Sequence, residues 1–152
     1  ESPTVLYLTS GSQPFVSDLN GDQIDDVLFN NDEESTKKLS IAIFNTTKNN
    51  YDILGFYDVM IDQETCQGGP KSPLVNPILS TPQSVSMVDF DGDCMSDLFL
   101  TLQEADDPEK KYFEIYLRRE RKTGVNETSR AKSTIPGTGS LCLAQSDDIS
   151  SN

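Results

Sequence analysis

Phe15–Asn30 reads FVSDLNGDQIDDVLFN and Ser86–Thr101 reads SMVDFDGDCMSDLFLT, and the likeness of these two stretches decides the fold. In each, a short apolar run enters a nine-residue acidic loop and a second apolar run leaves it. Asp18 and Asp89 occupy equivalent places, 71 residues apart. A further apolar run begins at Leu39 in one copy and Tyr112 in the other, 21 and 23 residues after the first Asp. The runs are rich in β-branched and aromatic residues and bounded by Gly, Pro, Asn and Asp, which predicts strands. Strands are expected over Val5–Leu8, Phe15–Leu19, Val27–Asn30, Leu39–Asn45, Tyr51–Phe56, Val85–Phe90, Leu98–Leu102 and Tyr112–Leu117. Alternation puts Leu39, Ile41 and Ile43 on one face, and Phe113, Ile115 and Leu117 on another. No amphipathic helix is evident. Self-similarity at this period marks an array of supersecondary units. The expected fold is all-β, made of antiparallel blades of a β-propeller. Closure of such a ring takes about four to eight blades, so two copies make a partial propeller.

The first loop runs Asp18-Leu19-Asn20-Gly21-Asp22-Gln23-Ile24-Asp25-Asp26, and the second Asp89-Phe90-Asp91-Gly92-Asp93-Cys94-Met95-Ser96-Asp97. Oxygen-bearing side chains stand at positions 1, 3, 5 and 9 of both: Asp18, Asn20, Asp22 and Asp26, then Asp89, Asp91, Asp93 and Asp97. In a tight turn these oxygens point to one centre, and position 7 (Ile24, Met95) can add its backbone carbonyl. Carboxylates converging in this way repel one another unless a cation lies between them. Coordination by about six to eight oxygens in flexible geometry suits Ca²⁺, whereas Mg²⁺ demands a stricter octahedron. The first loop offers three carboxylates and the second four, so charge alone ranks the second as the tighter site. An EF-hand is excluded: its position 12 needs an acid, and Phe29 and Leu100 stand there inside expected strands. The competing view, that Asp, Asn and Gly simply make good turns, accounts for one loop better than for two matched ones.

The pattern D-x-[DN]-G-D-x-x-x-D between apolar strands resembles the FG-GAP (VCBS) repeat of integrin α-subunit propellers. SQPFVSDLNGDQIDDVLFNN, LSIAIFNTT, VDFDGDCMSDLFLTLQ and YFEIYLRRE together resemble the T-cell immunomodulatory protein family, the integrin-α FG-GAP repeat-containing family, over about residues 10–120. The resemblance implies a calcium-loaded propeller ectodomain on a single-pass type I surface glycoprotein. It also implies extracellular placement, at the cell surface or secreted, a role in binding or immune modulation, and a protein partner such as a cell-surface receptor. Membrane attachment would then come only through a transmembrane helix outside this segment, and no catalysis is expected. The chain departs from the family at position 6, often Gly there but Gln23 and Cys94 here, which predicts looser loops or weaker calcium affinity.

Composition agrees with a cation-binding role. The 152 residues hold 25 Asp and Glu against 12 Lys and Arg, a net charge of −13. Such a surface repels phosphate, which argues against nucleic acid and anionic membranes. His is absent, so His-based triads, zinc sites and proton shuttles are excluded. No apolar run reaches the roughly 18 residues that crossing a bilayer requires. Residue 1 is Glu and no signal-peptide core follows, so a mature or internal segment of something longer is expected. Repeats are placed at about residues 5–60 and 83–120 within a unit spanning 1–122, separated by a Pro- and Gly-rich connector over 66–82. All aromatic residues lie at or before Tyr116, and 123–152 is read as a flexible Ser-, Thr- and Gly-rich tail.

Cys66, Cys94 and Cys142 allow one disulfide, with the pairing open. Asn45-Thr46-Thr47 and Asn126-Glu127-Thr128 fit the glycosylation sequon, making Asn45 and Asn126 candidate sites. Arg118-Arg119-Glu120-Arg121-Lys122 reads first as a solvated edge that discourages strand pairing, and second as a patch for an acidic partner or for the protein's own acidic face. An alternative function is the calcium-stabilised propeller portion of a carbohydrate-active or lipid-cleaving enzyme whose catalytic residues lie elsewhere.

Overall fold

In a computed structural model, which describes residues 3–33, 37–61, 66, 71–82, 85–120 and 139–144, the two repeated stretches become the centres of two antiparallel sheets. The first sheet is a meander of β1 (Phe15–Ser17), β2 (Asp26–Asn31), β3 (Lys38–Asn45) and β4 (Asn50–Gly55), in that order across the sheet. One helical turn, α1 (Phe56–Val59), follows. The second sheet holds β5 (Pro77–Leu79), β6 (Val85–Val88), β7 (Asp97–Glu104), β8 (Lys111–Glu120) and β9 (Gly139–Leu143). There β5 and β6 pair with different parts of β7, β8 pairs with β7, and β9 pairs with β8. The order β6-β7-β8-β9 therefore repeats β1-β2-β3-β4. Among the described residues the chain is all-β apart from α1, and no helix is long and apolar enough to cross a membrane.

The 71-residue offset of the loops extends into the surrounding ladder. Leu8 bridges Asn31 as Leu79 pairs with Leu102. Thr9 N–H donates to Asn30 O at 3.0 Å, as Ser80 N–H donates to Thr101 O at 2.9 Å. With Asp32 N–H donating to Tyr7 O at 2.9 Å, this is what forms of the strand expected at Val5–Leu8. A single bridge replaces a ladder there, and Val5, Tyr7 and Leu8 stay exposed.

The sheets meet over one core. Leu28, Leu39, Ile41 and Ile43 of the first pack with Leu79, Leu98, Leu100, Leu102 and Tyr116 of the second, and Leu19, Phe56, Met60, Leu74 and Leu141 complete the cluster. The alternation that places Leu39, Ile41 and Ile43 on one face holds, although Ser40 and Ala42 on the other face are buried too. Phe56 meets Tyr116 edge-on, ring centroids 5.7 Å apart. A polar clamp joins the sheets: Asn30 Nδ2 donates to Leu79 O at 2.8 Å while its Oδ1 accepts from Leu79 N–H at 2.7 Å. One side-chain amide thereby does the work of a strand's peptide group.

Two expectations need correction. Gly139–Leu143 lies within the stretch expected to be a flexible tail, yet it forms β9. Leu141, fully buried, and a disulfide between Cys66 and Cys142 hold it there. Leu141 N–H also donates to Met60 O at 2.8 Å. Residues 123–138 and 145–152 of that expected tail, Asn126 among them, lie outside the described residues. The basic cluster is likewise not a bare edge, because Arg118 and Arg119 of β8 pair with Leu141 and Ser140.

Truncating Leu100, central in β7 and fully buried, to Ala should cost about 2–5 kcal/mol of unfolding free energy, read from urea titrations. Glu104 ties down the chain before β5: its carboxylate accepts from Val75 N–H at 2.8 Å and Asn76 N–H at 2.9 Å, and Lys110 Nζ lies 3.0 Å away. Those backbone donors, Val75 first, hold its carboxyl below the ordinary value of 4.5. Its contribution is thus present above that value and is lost as the pH falls through the lower folded one. Glu104→Gln should lower the melting temperature at neutral pH, and the gap from the parent should narrow under acid.

Candidate metal centre

Each acidic loop closes on itself through its own side-chain oxygens. In the first, joining β1 to β2, Asp18 Oδ1 accepts from Gly21 N–H at 2.7 Å and Asp22 N–H at 3.1 Å, and its Oδ2 from Gln23 N–H at 2.9 Å. Asn20 Oδ1 accepts from Asp22 N–H at 2.9 Å, and Asp22 Oδ1 from Ile24 N–H at 2.8 Å. Asp26 Oδ2 reaches back to Leu19 N–H at 2.9 Å and Asn20 N–H at 3.2 Å.

The second loop, joining β6 to β7, repeats this pattern. Asp89 accepts from Gly92 N–H at 2.7 Å and Cys94 N–H at 3.0 Å. Asp91 Oδ1 accepts from Asp93 N–H at 3.3 Å, Asp93 Oδ1 from Met95 N–H at 2.9 Å, and Asp97 Oδ2 from Phe90 N–H at 2.7 Å.

Positions 4 and 6 turn left-handed in both loops: φ is 82° at Gly21, 77° at Gly92 and 68° at both Gln23 and Cys94. An L side chain in that region costs on the order of 1–2 kcal/mol. The N–H groups of Gln23 and Cys94 are held by the position-1 carboxylate, so the turn survives the missing glycine. Both loops border one cavity of about 390 Å³, whose lining includes Asp18, Gly21, Cys94, Met95, Arg118 and Arg119. The exposed Cys94 is the free cysteine.

The expected ligands are brought together unequally. One carboxylate oxygen from each of Asp89, Asp91 and Asp97 falls within 4.8 Å of the others, a spacing that the three carboxylates of the first loop do not reach. Asp93 leans toward Arg119. Ile24 and Met95 each donate the backbone N–H to the position-5 carboxylate. Asn45 ends β3, half-buried, and its Nδ2 donates to Asp52 at 2.8 Å.

The electrostatics single out position 9. Asp26 is fully buried, and its Oδ1 has no hydrogen-bond partner. Burial pushes its carboxyl up to about 7 against the N–H bonds of Leu19 and Asn20, and the charges of Asp22 and Asp18 add to the rise. Burial also raises Asp97, whose Oδ1, unlike that of Asp26, accepts from Arg118 N–H at 2.8 Å. Desolvation works upward on Asp91 as well, but the Arg119 guanidinium overcomes it and holds that carboxyl below its ordinary value. A buried carboxylate oxygen without a donor is costly unless a cation meets it. The donor set, all oxygen and rich in carboxylate, fits a hard divalent ion. Asp18, Asn20, Asp22, Asp26 and the Ile24 carbonyl would hold it in the first loop. Asp89, Asp91, Asp93, Asp97 and the Met95 carbonyl would do so in the second.

Sequence reasoning gave too little weight to the arginines. Arg118 Nη2 donates to the carbonyls of Asp18 at 2.9 Å and Leu19 at 3.3 Å, fastening the first loop to β8 of the other sheet. Arg119 Nη1 lies 2.7 Å from Asp91 Oδ2 and 3.5 Å from Asp93 Oδ2. The lesser reading of the basic cluster, a patch for the protein's own acidic face, describes what these two residues do. Their adjacency to so acidic a chain was the available signal.

Because the folded value for Asp26 is about 7 against 3.8 for the free side chain, the folded state binds the extra proton between those values. Without metal, the contribution of Asp26 to stability therefore falls as pH rises from about 4 to about 7 and then levels off. Asp26→Asn should remove this component: in chelator, the drop in urea midpoint between pH 5 and pH 8 should be smaller in the variant than in the parent. An equal drop in both would count against a buried, uncompensated charge at this position.

Comparison with protein-family models, with curated proteins and with solved structures gives no match to the chain.

Proposed function

We propose that this chain is a non-catalytic, calcium-binding segment of a β-propeller of the FG-GAP type. Each four-stranded meander serves as a blade, and Ca²⁺ stiffens the connection between its first two strands. The observation that carries this reading is the partnerless Oδ1 of fully buried Asp26, at the base of a loop whose geometry recurs at Asp89–Asp97. The shared strand order of the two sheets supports the blade assignment. The Cys66–Cys142 disulfide supports an oxidising, extracellular setting. There the chain would form part of a surface glycoprotein of the T-cell immunomodulatory family, carrying sugar at Asn45 and Asn126 and meeting a protein partner. The loop carboxylates act on the loop and its ion, which leaves the other blade surfaces for that partner.

Metal that binds only the folded state stabilises it by about 3 kcal/mol at a hundredfold excess over Kd, which corresponds to a rise of about 6–12 °C in melting temperature. Millimolar CaCl2 added to the chelated chain should produce such a rise in a thermal scan, and Asp22→Ala and Asp93→Ala should each remove part of it. MgCl2 at the same concentration should give a smaller rise. An unchanged melting temperature in CaCl2 would overturn the calcium reading.

A further inference from the structure

We infer that Arg119 is a built-in rival cation of the second loop, so that the first loop, despite fewer carboxylates, is the stronger calcium site. This rests on the calcium reading above and reverses the ranking that charge alone suggests. In the second loop, Arg119 Nη1 sits 2.7 Å from Asp91 Oδ2 and 3.5 Å from Asp93 Oδ2. Both oxygens of Asp97 are already hydrogen-bonded, to Phe90 N–H and Arg118 N–H. A divalent ion entering there must displace a guanidinium from two of the four carboxylates.

Although the second loop alone brings three carboxylate oxygens within 4.8 Å of one another, the first loop carries no such rival among the described residues. Among the described residues, no Lys or Arg forms an ion pair with Asp18, Asp22 or Asp26. Arg118, the basic residue nearest in sequence to Arg119, gives its guanidinium to carbonyls of that loop and leaves the carboxylates alone. The buried Oδ1 of Asp26 still awaits a partner. Strand register explains the asymmetry. Val27 faces Ala42 as its counterpart Leu98 faces Tyr116, so the position equivalent to Arg119 is Asn45. Asn45 is uncharged, and its amide is turned to Asp52. The difference between the loops thus lies in a residue on the third strand of each meander, outside the loops themselves.

Arg119 is about one-third exposed (34%), so water screens its pairing and the handicap is modest, about fivefold to tenfold in affinity. Calorimetric titration of the chelated chain with CaCl2 reads it, with Asp22→Asn and Asp93→Asn identifying which loop gives which binding event. In the parent, the first loop should bind more tightly. In Arg119→Gln the second loop should tighten about fivefold to tenfold while the first changes less than about twofold, and Arg119→Lys should keep part of the handicap. Calcium bound by both loops with second-loop affinity unchanged in Arg119→Gln overturns this inference alone, as does a parent whose second loop is the tighter. Absence of calcium binding in the parent and every variant overturns the calcium reading together with it.

Discussion

Asp26 and Asp97 each bury a carboxylate completely, and each uses one oxygen to grip the N–H of the second residue of its own loop. Removing such a charge from water is unfavourable by several kcal/mol, so the fold has to answer it locally. Part of the answer is shape: a nine-residue turn tight enough to aim backbone donors inward, which requires left-handed residues at positions 4 and 6. Part is placement, since the same aspartates begin β2 and β7 and so fix where each central strand enters its sheet. The remaining charge is answered differently in the two copies. Asp97 receives the N–H of Arg118, whereas Asp26 keeps one oxygen without a donor.

The joining of the sheets follows from a few directional contacts laid over an apolar core. Asn30 reaches from β2 to Leu79 in β5 and fixes the relative height of the two ladders. Arg118 acts from the other side, touching Asp97 through its backbone and the first loop through its guanidinium. Each loop is consequently held by β8 as well as by its own strands. That shared support places both acidic turns at the edge of one cleft.

The repeated stretches were legible in the sequence because both of their signals are local. Apolar alternation sets the strands, and oxygens at positions 1, 3, 5 and 9 set the loops. The conformations of Gln23 and Cys94 were harder to read, since a side chain at φ 68° is tolerated only because a carboxylate five residues earlier holds the amide. Long-range partners were not legible at all. β9 has few large side chains, yet it forms because Leu141 is buried in the core and bonds to Met60 O, and because Cys142 is bonded to Cys66. β5 was lost among prolines that read as a connector. Val5–Leu8 had the composition of a strand but lacked a second ladder to join. Arg119 illustrates the same limit, because its partners Asp91 and Asp93 are 28 and 26 residues away.

The bond between Cys66 and Cys142 spans 76 residues, which include β5 to β8 and the whole second acidic loop. Topologically, it turns that stretch into a closed covalent ring. A protease nick anywhere within the ring would leave a single molecule of unchanged mass apart from one added water, and only a reductant would release the pieces.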